Sequence, residues 1–94
     1  MSKEGKNTKL IARKYFLFLI NDNINTLCDV VFALNDCAGI NLEAAYNVGM
    51  TAHRYGNSII MTGSPQKLIK IRKQLNDSKI TTKLALIRGG LNWN

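Results

Sequence analysis

Leu19-Ile20-Asn21-Asp22-Asn23-Ile24-Asn25-Thr26-Leu27 is the stretch from which the rest of the chain can be read. An apolar run stops at a cluster of short polar side chains, and an amphipathic pattern begins directly after it. Upstream, Tyr15 to Ile20 is unbroken aromatic and aliphatic sequence, the pattern of a strand at a sheet centre or covered on both faces. Asn21, Asp22, Asn23 and Asn25 are poor strand residues, because their side chains bond nearby backbone and so favour turns and caps. One reading is a strand-to-helix turn with Asn25 or Thr26 as N-cap. The other is a gathering of carbonyl and carboxylate oxygens at a rigid strand end, able to accept hydrogen bonds from a cationic ligand. Composition does not choose between them.

Working outward, the strand is expected over about Lys14–Ile20, after a polar segment over residues 1–14 that reads as a flexible basic arm. A helix is expected over Thr26–Ala38, where Leu27, Val30, Val31, Leu34 and Ala38 form one apolar stripe and Gly39 offers a left-handed stop. Asn41 reads as the N-cap of a second helix, Leu42–Tyr55, ended by Gly56-Asn57. A short strand, Ser58–Thr62, leads to Ser64-Pro65, the start signal of a third helix over Pro65–Asp77. That helix turns Leu68, Ile71 and Leu75 inward and leaves Lys67, Lys70, Arg72 and Lys73 outside. Thr81–Ile87 alternates as a half-buried strand, and residues 89–94 read as a frayed end. The order β-α-α-β-α-β over one domain, residues 15–88, implies an α+β fold: a three-stranded, mostly antiparallel sheet with three helices on one side.

Composition narrows the function classes. A chain of 94 residues with 46% apolar content is one folded domain. No apolar run approaches the ~20 residues of a membrane helix, and the N-terminus lacks the apolar core of a secretory signal. Cys28 and Cys37 fall on one expected helix ~13 Å apart by rise, too far for a disulfide. They read as buried or half-buried free thiols of a reducing, cytoplasmic environment. The net charge of +7 is uneven: +4 over residues 1–14, −3 over 15–62 and +6 over 63–94. Basic ends of this kind suit phosphate or an acidic protein. A lone histidine, two cysteines on one helix and no phosphate-cradling glycine loop argue against an enzyme, a cofactor or a metal site.

The second helix adds a further signal. One of its faces carries Ala45, Gly49, Ala52, His53 and Gly56, all small except the only histidine of the chain. Gly49 in mid-helix costs ~1 kcal/mol against Ala and needs a reason. Either a neighbouring element approaches closely, or the missing side chain leaves a hollow for a ligand with His53 at its rim.

An apolar strand, Asn21-Asp22, a helix, and about thirty residues later Ala52-His53-x-x-Gly56 together resemble the Clp protease adaptor family, ClpS. The resemblance spans Tyr15 to about Leu86, with Glu43 and Ala45 also in register. It implies a non-enzymatic adaptor that binds the free, bulky hydrophobic N-terminal residue of a substrate protein, the N-degron of the N-end rule. The adaptor would deliver that protein for proteolysis to a Clp-type AAA+ ATPase. The resemblance assigns the α-amino group to Asn21, Asp22 and His53. It assigns the first side chain to a pocket of Leu27, Val30, Gly49, Ala52 and Leu84, with Asn25 at the rim. An α-ammonium presents three N–H donors and a charge, so this set of acceptors with one anion suits it.

The chain departs from the family pattern at Asn23, Thr26, Gly49 and Ala52, where a second acid, a proline, a methionine and a valine are usual. The smaller residues imply a wider pocket, tolerant of aromatic or β-branched first residues and weaker for leucine. The basic third helix departs from the usual ATPase-contacting surface. Two rival readings follow: a small basic nucleic-acid- or ribosome-associated module, and an inhibitor or decoy that occupies a Clp ATPase. A monomer without membrane attachment is expected in each case.

Overall fold

The computed structural model describes residues 14–87. β1, Lys14–Ile20, takes the centre of a three-stranded sheet of order β2-β1-β3, with both partners antiparallel. The other elements are α1 Leu27–Ala38, α2 Leu42–Tyr55, β2 Asn57–Gly63, α3 Pro65–Asp77 and β3 Thr82–Ile87. The β-α-α-β-α-β order and the α+β class are those expected. Of the arm expected over 1–14 only Lys14 is described, as the start of β1; the end expected over 89–94 lies outside the described residues.

Local chemistry accounts for the helix boundaries. Thr26, not Asn25, caps α1: its Oγ1 accepts from the Asp29 N–H and Asp29 Oδ2 accepts from the Thr26 N–H, both at 3.1 Å. This reciprocal pair satisfies two otherwise orphaned donors. Asn41 caps α2 through the Ala44 N–H at 2.8 Å. Ser64 caps α3, with Pro65 at the first helical position, where its missing N–H is harmless. Gly39 and Gly56 end the first two helices in the left-handed region, at φ +73° and +97°.

The pleat of β1 sorts its side chains. Leu17 and Leu19 are buried against the helices with Leu34, Ala45, Ala52, Ile60, Leu68, Leu75 and Ile80. Leu17 stands between Met61 and Leu84 in register, and Leu19 between Ser58 and Thr82. The register slips after Leu17, leaving Ile60 as the extra residue of a bulge in β2. Phe16 and Phe18, on the other face, are only half-buried, so β1 is central in the sheet but not covered on both sides.

Two surface expectations differ from the fold. Cys28 is exposed, because it lies off the apolar stripe of α1; Cys37 is half-buried, and both thiols are free. Arg72, expected outside, is half-buried with its Nε shielded from solvent, because it stands one turn from the buried Leu68 and Leu75 on α3.

Candidate functional site

The polar cluster lies where three elements converge. The Ile20 N–H donates to the Thr81 carbonyl at 3.0 Å, and the Asn21 N–H donates to the Gly56 carbonyl at 2.9 Å. The exit of β1 is thereby clamped between the C-cap of α2 and the approach to β3. His53 stands in the last turn of α2, one turn before that C-cap. The residues that sequence spacing separates by about thirty positions thus meet around one opening.

Asp22 organises the loop that follows. Its Oδ1 accepts the N–H of Ile24 at 3.0 Å and of Asn25 at 3.2 Å. Its Oδ2 accepts the Thr81 hydroxyl at 2.9 Å and the Asn25 side-chain amide at 3.5 Å. That amide also donates to the Lys79 carbonyl at 2.7 Å, tying the loop to the turn before β3. Partial burial pushes the carboxyl up, but the Ile24 and Asn25 N–H groups, the Thr81 hydroxyl and the Asn25 amide outweigh it and hold it below its ordinary value. All four donors are neutral, and the ion pair among the described residues is Lys73–Asp77, on the surface of α3. The loop therefore presents an ionised carboxylate whose charge no cation balances among the described residues.

Asn21 and His53 complete the polar side. Both are exposed, and among the described residues neither side chain hydrogen-bonds within the chain. Each retains an acceptor for a ligand: the amide oxygen of Asn21 and one ring nitrogen of a neutral His53. The C-terminal end of α2 adds the negative pole of its helix dipole on the same side.

Beneath this polar mouth is a cleft of about 450 Å³, within the range typical of small-ligand sites. Its apolar walls are Leu19, Ile20, Leu27, Val30, Gly49, Met50, Ala52 and Ile80, and Asn21, Asp22, Asn23, Asn25, Thr26 and His53 line the rest. The structure therefore brings together Asn21, Asp22, Asn25, Leu27, Val30, Gly49, Ala52 and His53. Leu84 is not among the lining residues. It pairs with Leu17 in mid-sheet, a register that carries it away from the cleft end of β1. Ile80 holds the wall instead, 2% exposed and fixed by its N–H to the Leu75 carbonyl at 2.9 Å. A lone isoleucine between a polar turn and the Thr81-Thr82 strand start was its sequence signal. Met50 carried none beyond its neighbour Gly49.

Gly49 both permits a close helix approach and lines the cleft. It is buried, and a Cβ there would lie 2.8 Å from Leu27 Cδ1 and 3.7 Å from Val30 Cγ1. The absent side chain lets α1 close on α2, and Leu27 leans into part of the space.

Comparisons with known proteins bear on the family and the fold. The family model described as ATP-dependent Clp protease adaptor protein ClpS matches residues 11–86. Among solved structures, Agrobacterium tumefaciens ClpS2 bound to L-phenylalaninamide is similar at a TM-score of 0.73 and 18% identity. The match covers 80% of this chain and 98% of that one. No curated protein sequence matches the chain. With its fold and element order shared and residues 11–86 matched by the family model, this chain belongs to the ClpS family of ATP-dependent Clp protease adaptors.

Proposed function

We propose that the cleft binds the free N-terminal residue of a substrate protein and that the chain hands that protein to a Clp-type AAA+ ATPase. The observation that carries this reading is the unbalanced Asp22 carboxylate beside two unengaged acceptors, Asn21 and His53, at the mouth of an apolar cleft. Asn21 and His53 accept two N–H groups of the α-ammonium directly. Asp22, whose oxygens already serve the loop, supplies charge and accepts through water. The first side chain enters between Leu27, Val30, Gly49, Ala52 and Ile80. Asn25 stays at the rim, held by Asp22 and Lys79. An acetylated or internal residue lacks the charge and the donors, and hydrogen bonds to a charged group are worth about 1.5–3 kcal/mol each, enough for rejection.

The cleft volume supports a large first side chain. The ligand in the Agrobacterium relative is an amide of phenylalanine, with a free amine and an aromatic side chain, the chemistry this cleft is suited to accept. Phe and Trp are the preferred first residues here and Leu the weaker one. The role is binding and hand-over, with no reaction at the site; among the described residues no helix is long and apolar enough to cross a membrane.

The test is retention on beads displaying peptides with Phe N-termini. The parent chain is retained, acetylated beads do not hold it, and both Asp22→Ala and His53→Ala lose retention. Retention of both variants at the parent level would remove the site assignment.

A further inference from the structure

The sheet has a second surface, across from the helices that wall the cleft. Because Leu17 and Leu19 face the helices, Phe16 and Phe18 face the other way. Their rings meet edge to face with centroids 5.8 Å apart. Cross-strand register flanks Phe18 with Ile59 and Lys83 and places Ala85 beside Phe16. Ile59 is 46% exposed and Lys83 is exposed. α1 packs against both α2 and α3, and all three helices contribute to the buried cluster on the Leu17 side, so among the described residues no helix covers the Phe16 face. None of the strands contains an acidic residue, and the charged residues they hold are Lys14 and Lys83.

Two aromatic rings at the centre of a sheet, with cations at its flank and no anion, fit a polyanion whose units carry flat apolar rings. We propose that this face binds single-stranded nucleic acid, with bases stacking on Phe16 and Phe18 and phosphates meeting Lys14 and Lys83. An uncharged apolar partner would desolvate the ammonium groups without a counter-charge. A second copy of the chain would set lysine against lysine. The excess of base over the whole chain, +7, draws a polyanion in. The surface is separate from the cleft, so the proposal stands whatever the cleft binds.

The test is fluorescence anisotropy of a labelled 12-nucleotide oligouridylate with the full chain at low and physiological salt. Binding is expected at roughly 1–100 µM in low salt. Phe18→Ala should weaken it about tenfold. Lys83→Glu, at an exposed position, should weaken it and reduce the slope of log affinity against log salt by about 0.7. Melting curves of both variants check that the fold survives. Failure of the parent to bind, or equal affinity for a 12-base-pair duplex, overturns the proposal. So does binding that persists in both variants but is lost in Lys67→Glu/Lys70→Glu, which would move it to α3. A dimer in sedimentation that Phe18→Ala disperses would assign the face to a second copy and overturn it equally.

Discussion

Replacing Gly49 by alanine separates the two uses of that residue. In mid-helix the change gains about 1 kcal/mol of helix propensity. Against this, the new methyl arrives 2.8 Å from Leu27 Cδ1, with Val30 Cγ1 at 3.7 Å and Val31 Cγ2 at 3.9 Å. The close contact is with the far end of a flexible side chain, so α1 need not move. Displacing Leu27 from its rotamer costs about 0.5–1.5 kcal/mol. Gain and cost nearly cancel, and the melting temperature should move by no more than about 5 °C. Function should respond more. Leu27 lines both the cleft and an outer groove with Phe32, Leu42 and Tyr46, and the added methyl reduces the room between Leu27 and Ala52 in the cleft. One methyl in an apolar pocket is worth about 1–3 kcal/mol, so a peptide beginning with Phe should lose roughly tenfold or more in affinity, while one beginning with Leu changes little. Calorimetric titration of parent and variant with the two peptides measures this. An unchanged Phe-to-Leu ratio, with the fold intact, would refute the idea that Gly49 sets the width of the cleft.

Other expectations follow from the loop and the caps. Asp22→Asn keeps an oxygen for the Ile24 and Asn25 N–H groups but removes the charge; N-terminal peptide affinity should fall about tenfold or more, with melting changed far less than in Asp22→Ala. Because hydrogen bonding holds the Asp22 carboxyl below its ordinary value of 3.8, its stabilising contribution is complete above that pH. It is lost as pH falls through the lower folded value, since the unfolded chain takes up the proton first. Acid titration of stability below about pH 4 should therefore be steeper in the parent than in Asp22→Asn. Thr26→Ala breaks the capping box of α1 and should cost about 1 kcal/mol in urea unfolding. Cys28, being exposed, should react with a thiol reagent in the native state ahead of Cys37.

The parts of the fold legible in the sequence are those set by local chemistry. The unbroken apolar run of Tyr15–Ile20 marked the central strand, and Asn41, Ser64-Pro65, Gly39 and Gly56 marked helix ends, because caps and left-handed stops depend on residues a turn away. The pairing of Asn21 and Asp22 with His53 was visible only through the family resemblance; no local rule brings a strand exit to a helix end. What was not legible depends on long-range register. Leu84 looked like a cleft wall because it is an apolar residue of the last strand, yet pairing with Leu17 puts it in mid-sheet. Ile80 takes that place because the turn after α3 folds back so that Thr81 can accept the Ile20 N–H. The half-exposure of Phe16 and Phe18 was hidden for a similar reason: an all-apolar strand reads the same whether one face is covered or two.

The central claim is that the cleft grips a free amino terminus by its charge and donors, and one comparison tests it most directly. Calorimetric titration of the parent chain with a decapeptide beginning in Phe should give a saturable isotherm at neutral pH, and the same peptide N-acetylated should give none. Equal affinity for the two peptides would show that Asn21, Asp22 and His53 do not read the α-ammonium, and would contradict the account.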